Sequence, residues 1–301
     1  MNPANPSLLQ LQLAATLSGW GVIHVSGADA ETFLHGQLTN DLLHLPADAA
    51  QWSAYCSPRG RMLAGFLVWR DGEGGFYLAS DRGLVPALIK RLRMFVLRAK
   101  VAIDDASGQS RITCHVGDVS SAPMQVVRTG DTTTIGLAPV NGIARAISLG
   151  LPAGSDSGSG ETGWALLMIH AGEFWITAAT QEQFVPQMVN FDAIGGLNFK
   201  KGCYPGQEVV ARAHYRGAVK RRMYLAHVDT PASPGQPLFA SDLNGQESGL
   251  IANAAPAPQG GSDVLAVLPI QSRLGAEVRL GGTAGPLLSF GSLPYALPEA
   301  A

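Results

Sequence analysis

Cys203 lies in the segment Asn198-Phe-Lys-Lys-Gly-Cys-Tyr-Pro-Gly-Gln-Glu-Val-Val-Ala-Arg-Ala-His-Tyr-Arg-Gly217, and its neighbours suit a thiol that reacts or binds. Lys200 and Lys201 precede it, and Pro205-Gly206 turns the chain ahead of a short helix expected from Gln207 to His214. Lysines and a helix N-terminus both favour the thiolate, the form of cysteine that serves as nucleophile, redox centre or metal ligand. The plainer alternative is a buried structural cysteine. Gly202 and Gly206 would also let a ligand approach the backbone closely. Glu208 is the only acid between Asp192 and Asp229, against seven basic residues. It either pairs with Arg212 one helical turn on or accepts hydrogen bonds from the NH groups of a ring such as a pterin. Gln207 beside it offers both donor and acceptor. Lys200, Lys201, Arg212, Arg216 and the run Lys220-Arg221-Arg222 form a cationic set for a polyanion, either a folate polyglutamate tail or RNA phosphate. Tyr204, Tyr215 and Tyr224 interleave with these charges, as nucleic-acid binding would also use. A solvated strand face is the alternative for Lys220–Arg222.

Two further clusters carry polar chemistry. Cys56-Ser-Pro-Arg-Gly-Arg61 reads as a hairpin turn with Arg59 at its tip, and His35-Gly-Gln-Leu-Thr-Asn-Asp41 as a helix C-terminus with Gln37, Asn40 and Asp41 beyond or near its end. Gly158-Ser-Gly160-Glu-Thr-Gly163 fits the dinucleotide-binding spacing, but it follows a Ser/Gly-rich loop and precedes an expected strand, so a nucleotide fold is not supported. The seven histidines include no H-x-x-x-H pair, so a histidine metal site is not expected. There is no G-x-x-x-x-G-K-[ST] loop for nucleotide hydrolysis.

The elements that must position these residues are short. The 301 residues fit about two domains on a prior of roughly 150 each. With 36 Gly and 19 Pro, the chain suits turns and short strands better than a helical bundle. Strands are expected at Trp20–Val25, Gln51–Cys56, Met62–Trp69, Gly75–Ser80, Val101–Asp104, Ile112–Val116, Trp164–Met168 and Phe174–Thr177. Helices are expected at Ala30–Leu38, Leu84–Val96 and Gln181–Val189, with a flexible loop over Leu151–Gly163. From about Lys220 the pattern is short strands only, as in a small β-barrel. The class is α+β, with a boundary near 217–235 between an α+β region, 1–217, and a β region, 218–301. The formal charge is −2, yet nine of 21 basic residues fall in 59–100 and seven in 200–222, which points to a positive surface or pocket. No run of apolar residues is long enough to span a membrane. The N-terminus lacks a basic signal region, and three cysteines without C-x-x-C spacing suit a reducing compartment, so a cytoplasmic location is expected.

At Lys201-Gly-Cys-Tyr-Pro-Gly-Gln-Glu208 the chain resembles the YgfZ family of folate-binding proteins, relatives of the glycine-cleavage T-protein, and matches its K-G-C-Y-x-G-Q-E signature without a mismatch. Phe33-Leu-His-Gly-Gln-Leu-Thr-Asn-Asp41, Cys56-x-x-x-Gly60-Arg61, Phe184-Val-Pro-Gln187, Gly195-Gly196 and Leu293-Pro-Tyr295 extend the resemblance over nearly the whole chain. It implies a T-protein-like, three-lobed ring with a C-terminal antiparallel β-barrel, and tetrahydrofolate or a derivative in a central channel. It implies a role in assembly or repair of iron–sulfur proteins, including a tRNA methylthiolation enzyme, so that tRNA modification is supported indirectly. Cys203 and Lys201 are expected to be functionally required. Tyr204, Gly206, Gln207, Glu208, Arg212, Arg216, Gln37 and Asn40 are the expected folate-site residues. The T-protein's R-x-E-A-G glutamate has His170 in its place, in Met168-Ile-His-Ala-Gly172. That departure counts against aminomethyl transfer, although a folate-dependent transferase and a tRNA-binding module remain the alternative functions. No metal site and no membrane partner are expected, and no familiar catalytic constellation marks the chain as an enzyme.

Overall fold

A computed structural model of the chain describes residues 13–117, 119–150, 158–215 and 219–298. The first half runs β1 (Leu13–Thr16), β2 (Trp20–Ser26), α1 (Ala30–Gln37), β3 (Ala50–Cys56), β4 (Met62–Arg70), β5 (Phe76–Asp81), α2 (Val85–Arg93), β6 (Ala102–Asp105) and β7 (Arg111–Val116). It continues with β8 (Val126–Thr129), β9 (Thr132–Val140), β10 (Ile143–Gly150), α3 (Gly158–His170) and α4 (Gln207–Tyr215). The last part holds β11 (Arg221–Val228), β12 (Pro237–Ala240), β13 (Glu247–Pro256), β14 (Ser262–Pro269), α5 (Ile270–Gly275), β15 (Val278–Leu280) and β16 (Ser289–Phe290).

These strands make three sheets with antiparallel pairing throughout the named ladders, in the orders β3-β4-β5-β2-β6, β1-β7-β10-β9-β8 and β15-β12-β13-β14-β11-β16. Antiparallel pairing removes any βαβ unit, and with it the dinucleotide reading of Gly158–Gly163. β4 is buried at every position from Met62 to Trp69, so its sequence reads as one apolar run rather than an alternation. α2 buries Val85, Leu88, Ile89 and Leu92 on one stripe and leaves its cations on the other side.

Where the sequence suggests a C-terminal barrel, the structure has a six-stranded sheet ordered from β15 to β16, with an isolated Arg279–Leu287 bridge near its edges, and the named ladders do not close it. One face of this sheet, through Met223, Leu225, Ala252, Ala255, Leu265 and Val267, belongs to the same core as Ala15 and Trp52. The other face packs a smaller core of its own around Val228, Leu238, Ile251 and Leu268.

Four expectations are corrected. The expected Leu151–Gly163 loop and Trp164–Met168 strand are, from Gly158 on, the single helix α3; residues 151–157 lie outside the described part. Trp164, Leu166, Leu167, Met168 and Ile169 are all buried, so the helix has no polar face to betray its period. Its weak first turn is held by Glu161, whose carboxylate accepts from the Ser18 hydroxyl and the Gly19 N–H at 2.7 Å each. Phe174–Thr177 is extended but joins no ladder: the Asn253 side-chain amide bonds the Trp175 N–H and C=O, both at 2.9 Å, in place of a neighbouring strand. Of the Gln181–Val189 helix only a 3-10 turn, Pro186–Val189, forms.

Candidate functional site

Pieces of sequence singled out above, far apart in the chain, meet in space. Lys201 is buried, and its ammonium donates to the carbonyls of His35 and of Leu38 (2.7 Å for the latter) at the C-terminal end of α1. A cation there satisfies carbonyls that the helix leaves open and sits at the negative end of its dipole. The same ammonium lies 4.9 Å from the centre of the Tyr204 ring. Burial brings the Lys201 pKa down to about 8, against the opposing pull of Asp41 and Cys203. His35 is lowered too, by burial first and then by Lys201. The expected α1 end is therefore anchored to the cysteine loop by Lys201 itself, which is directed inward.

The loop's other anchor is a pair of glycines. Gly206 has φ +80°, and a Cβ there would stand 2.4 Å from the Ser57 carbonyl oxygen and 2.6 Å from the Gly60 nitrogen. Gly60 has φ +70° and faces Val209 and the Gly206 carbonyl in return. The turn at 56–61 and the turn at 203–206 thus pack backbone on backbone, which only glycine permits at both positions. Between these anchors Tyr204 is buried and Cys203 is exposed, whereas Cys56 and Cys114 are buried. Burial raises the Cys56 thiol and the Tyr204 phenol well above their usual ranges, so neither ionises readily.

The remaining expected residues divide. Asn40 is buried, with its amide donating to the Trp52 and Gly195 carbonyls at 2.9 and 2.7 Å. Gln37 keeps a buried Oε1 without a protein partner. Glu208 pairs with Arg212 at 2.7 Å on the exposed face of α4, as the plainer reading of that pair expects. Gln207 opens α4. Arg216 lies outside the described residues. Arg222, placed in a cationic set, is instead buried and forms two bonds with the Asp192 carboxylate, at 2.6 and 2.9 Å. β11 is exposed only at Arg221 and runs buried or half-buried from Arg222 on, because both faces of its sheet are covered, so the last member of the Lys-Arg-Arg run turns inward.

A second feature was not anticipated. Where β2, α3 and β13 meet, Trp20, Trp164, Trp175, Met168 and Ile169 wall a cavity of about 180 Å³, together with Asp81, Glu161 and Glu173. Trp20 and Trp175 stack with centres 4.1 Å apart, and Trp164 stands edge-on to Trp20 at 6.5 Å. Trp164 Nε1 and Glu173 Oε2 are buried and have no partner in the protein, an unusual pair of open hydrogen-bonding groups. The other Glu173 oxygen binds Arg145, itself buried, at 2.5 Å. Burial raises the Asp81 carboxyl. An adjoining pocket that shares Trp20 carries Arg82 and Arg111. None of the residues expected from the cysteine loop lines the aromatic cavity. Its signal in sequence was weak, since its walls come from α3 and from the strandless 173–175.

His170 is not among the residues that wall the aromatic cavity. It turns away from the aromatic cavity and bonds the buried Asp263 at 2.7 Å, and Asp263 bonds His227 at 2.7 Å through its other oxygen. The carboxylate nearest in sequence that lines the aromatic cavity is Glu173. Among the described residues no cluster of ligating side chains could hold a metal ion, and no helix is long and apolar enough to cross a membrane.

No family model matches the chain. In fold it is similar to the crystal structure of glycine cleavage system aminomethyltransferase T from Bartonella henselae, with a TM-score of 0.67, 18% identity, and 93% of this chain and 85% of that one covered. In sequence it is 33% identical over 230 residues to tRNA-modifying protein YgfZ of Shigella dysenteriae serotype 1, covering 70% of each. The same figures hold for the protein of that name from Escherichia coli O7:K1. With the Lys201–Glu208 loop, its α1 anchor and its hairpin seat assembled on a T-protein-like fold, the chain belongs to the YgfZ family.

Proposed function

We propose that the chain is a tetrahydrofolate-binding accessory protein for iron–sulfur protein assembly or repair, which supports tRNA modification indirectly and uses Cys203 as its working thiol. The aromatic cavity carries the folate half of this reading. A pterin is flat and presents N–H donors beside a carbonyl. Glu173 Oε2 and Trp164 Nε1 are an acceptor and a donor buried without partners, which suits that edge, and tryptophan faces suit the ring. Arg82 and Arg111, in the adjoining pocket, suit the carboxylates of the folate tail.

Calorimetric titration with tetrahydrofolate, and with 5-formyl-tetrahydrofolate alongside, is expected to show saturable binding. Glu173→Gln is expected to weaken it by about tenfold or more, since a hydrogen bond to a charged group is worth about 1.5–3 kcal/mol. Affinity for p-aminobenzoylglutamate, which lacks the pterin, should not change between the two proteins. Absence of binding by either folate would defeat the folate reading.

Cys203 is exposed, so Cys203→Ala should leave stability within about 0.5 kcal/mol of the parent. Iron–sulfur enzyme activity in a deletion strain complemented by this variant is nonetheless expected to be lost. Full activity there would remove Cys203 from the function.

Asp81 favours a second reading. A folate-dependent one-carbon transferase needs a carboxylate beside the folate, and Asp81 lines the cavity with its pKa raised by burial. Formation of methylene-tetrahydrofolate from a methylamine-type donor would favour it, and none being formed would exclude it.

A further inference from the structure

From Lys90 to Lys100 the chain carries Lys90, Arg91, Arg93, Arg98 and Lys100 and no acid, in a protein whose formal charge is −2. Set among these cations, Met94 is 67%, Phe95 42% and Leu97 89% exposed. Other exposed large hydrophobics, such as Leu43, Val127 and Leu274, stand singly, which is ordinary for a surface.

The segment is held in place. The Phe95 and Val96 N–H groups donate to the Leu92 and Arg93 carbonyls, Ala99 N–H to the Val96 carbonyl, and Lys100 N–H to the Asp29 carboxylate at 2.7 Å. Val96 packs on the core, so its neighbours on either side face out. Leu97 has φ +48°, a left-handed conformation that leucine seldom adopts. A strained backbone and an exposed aliphatic side chain at one residue are each unfavourable, and strain of this kind concentrates at functional surfaces.

We propose that this ridge docks the protein on an anionic lipid surface. The cations would meet the headgroups while Met94, Phe95 and Leu97 enter the boundary with the acyl chains. Charge complementarity selects an anionic occupant. The aliphatic side chains then separate lipid from RNA, since phosphates and bases offer Leu97 and Met94 no apolar layer to enter. Arg93 is partly committed to Asp104, and Arg91 lies over the Tyr55 ring at 6.0 Å, so the outward charge rests chiefly on Lys90, Arg98 and Lys100. The mode is that of a protein lying on the surface, consistent with the lack of a spanning helix among the described residues.

The test is co-sedimentation of the full chain with vesicles of phosphatidylcholine alone and of equal parts phosphatidylcholine and phosphatidylglycerol, at low and high salt. Sedimentation with the mixed vesicles only, weakened by salt, is expected. Met94→Ser with Leu97→Ser should weaken it about tenfold or more through lost apolar insertion, and Lys90→Gln with Arg98→Gln comparably through lost charge. All these side chains are exposed, so melting temperatures should not fall. The proposal is overturned if the parent protein ignores the mixed vesicles, or if the serine variant sediments as the parent does. It is also overturned if bulk tRNA binds through the charged residues while the vesicles do not.

Discussion

Arg145→Leu is expected to destabilise the fold by about 3–5 kcal/mol, because it strands a buried carboxylate. Arg145 and Glu173 are both buried, and the guanidinium also donates to the Ala138 carbonyl at 2.7 Å. With the arginine gone, one Glu173 oxygen would join the other in having no partner. Adding Glu173→Gln to Arg145→Leu should recover a large part of the loss, since a neutral amide is far less costly to bury than a charge. Urea unfolding of the two single variants and the double variant measures the coupling. If the double variant is as unstable as Arg145→Leu alone, the stranded charge is not the cause. The double variant should also bind tetrahydrofolate less well than the parent, because the carboxylate assigned to the pterin is lost with it.

Gly206→Ala is expected to lower stability by about 2–4 kcal/mol or to lift the cysteine loop off its seat. A left-handed residue with a Cβ costs roughly 1–2 kcal/mol by itself, and here the added atom meets backbone at Ser57 and Gly60, which cannot rotate aside. Gly202 in the same loop supplies the control. A Cβ there would find only His35 Nε2, at 3.6 Å, an ordinary contact, so Gly202→Ala should stay within about 0.5 kcal/mol of the parent. Thermal melting separates the two, and complementation of the deletion strain should fail for Gly206→Ala alone. Equal behaviour of both variants would mean that the glycine-to-glycine seat does not hold the loop.

Sequence disclosed the sheet strands between Trp20 and Val116 because turns such as Ser57–Gly60 and Asp71–Gly74 mark their ends. It disclosed the octapeptide because a cysteine among glycines, lysines and a turn is distinctive on its own. The hairpin of β9 and β10 lies outside the expected strands although Asn141-Gly142 joins them, both with positive φ, the strongest local hairpin signal. α3 was hidden for the opposite reason: burial of nearly every residue from Trp164 to Ile169 erased its periodicity. The cationic set loses Lys201 and Arg222 to the interior, and sequence alone does not say which of Arg221 and Arg222 faces Asp192. The aromatic cavity was beyond reach, since Trp20, Trp164 and Trp175 are brought together only by the packing of α3 against β13 and β1.

The C-terminal sheet's shared face bears on synthesis. Ribosomes release the chain from its N-terminus, so the core that begins at Ala15 waits for Met223, Leu225, Ala252, Ala255, Leu265 and Val267 to emerge. Until then the side of α3 that packs on β13 and β14 has no cover, and a chain stalled near residue 217 would present it to chaperones. Completion of the shared core is therefore tied to the emergence of the C-terminal sheet.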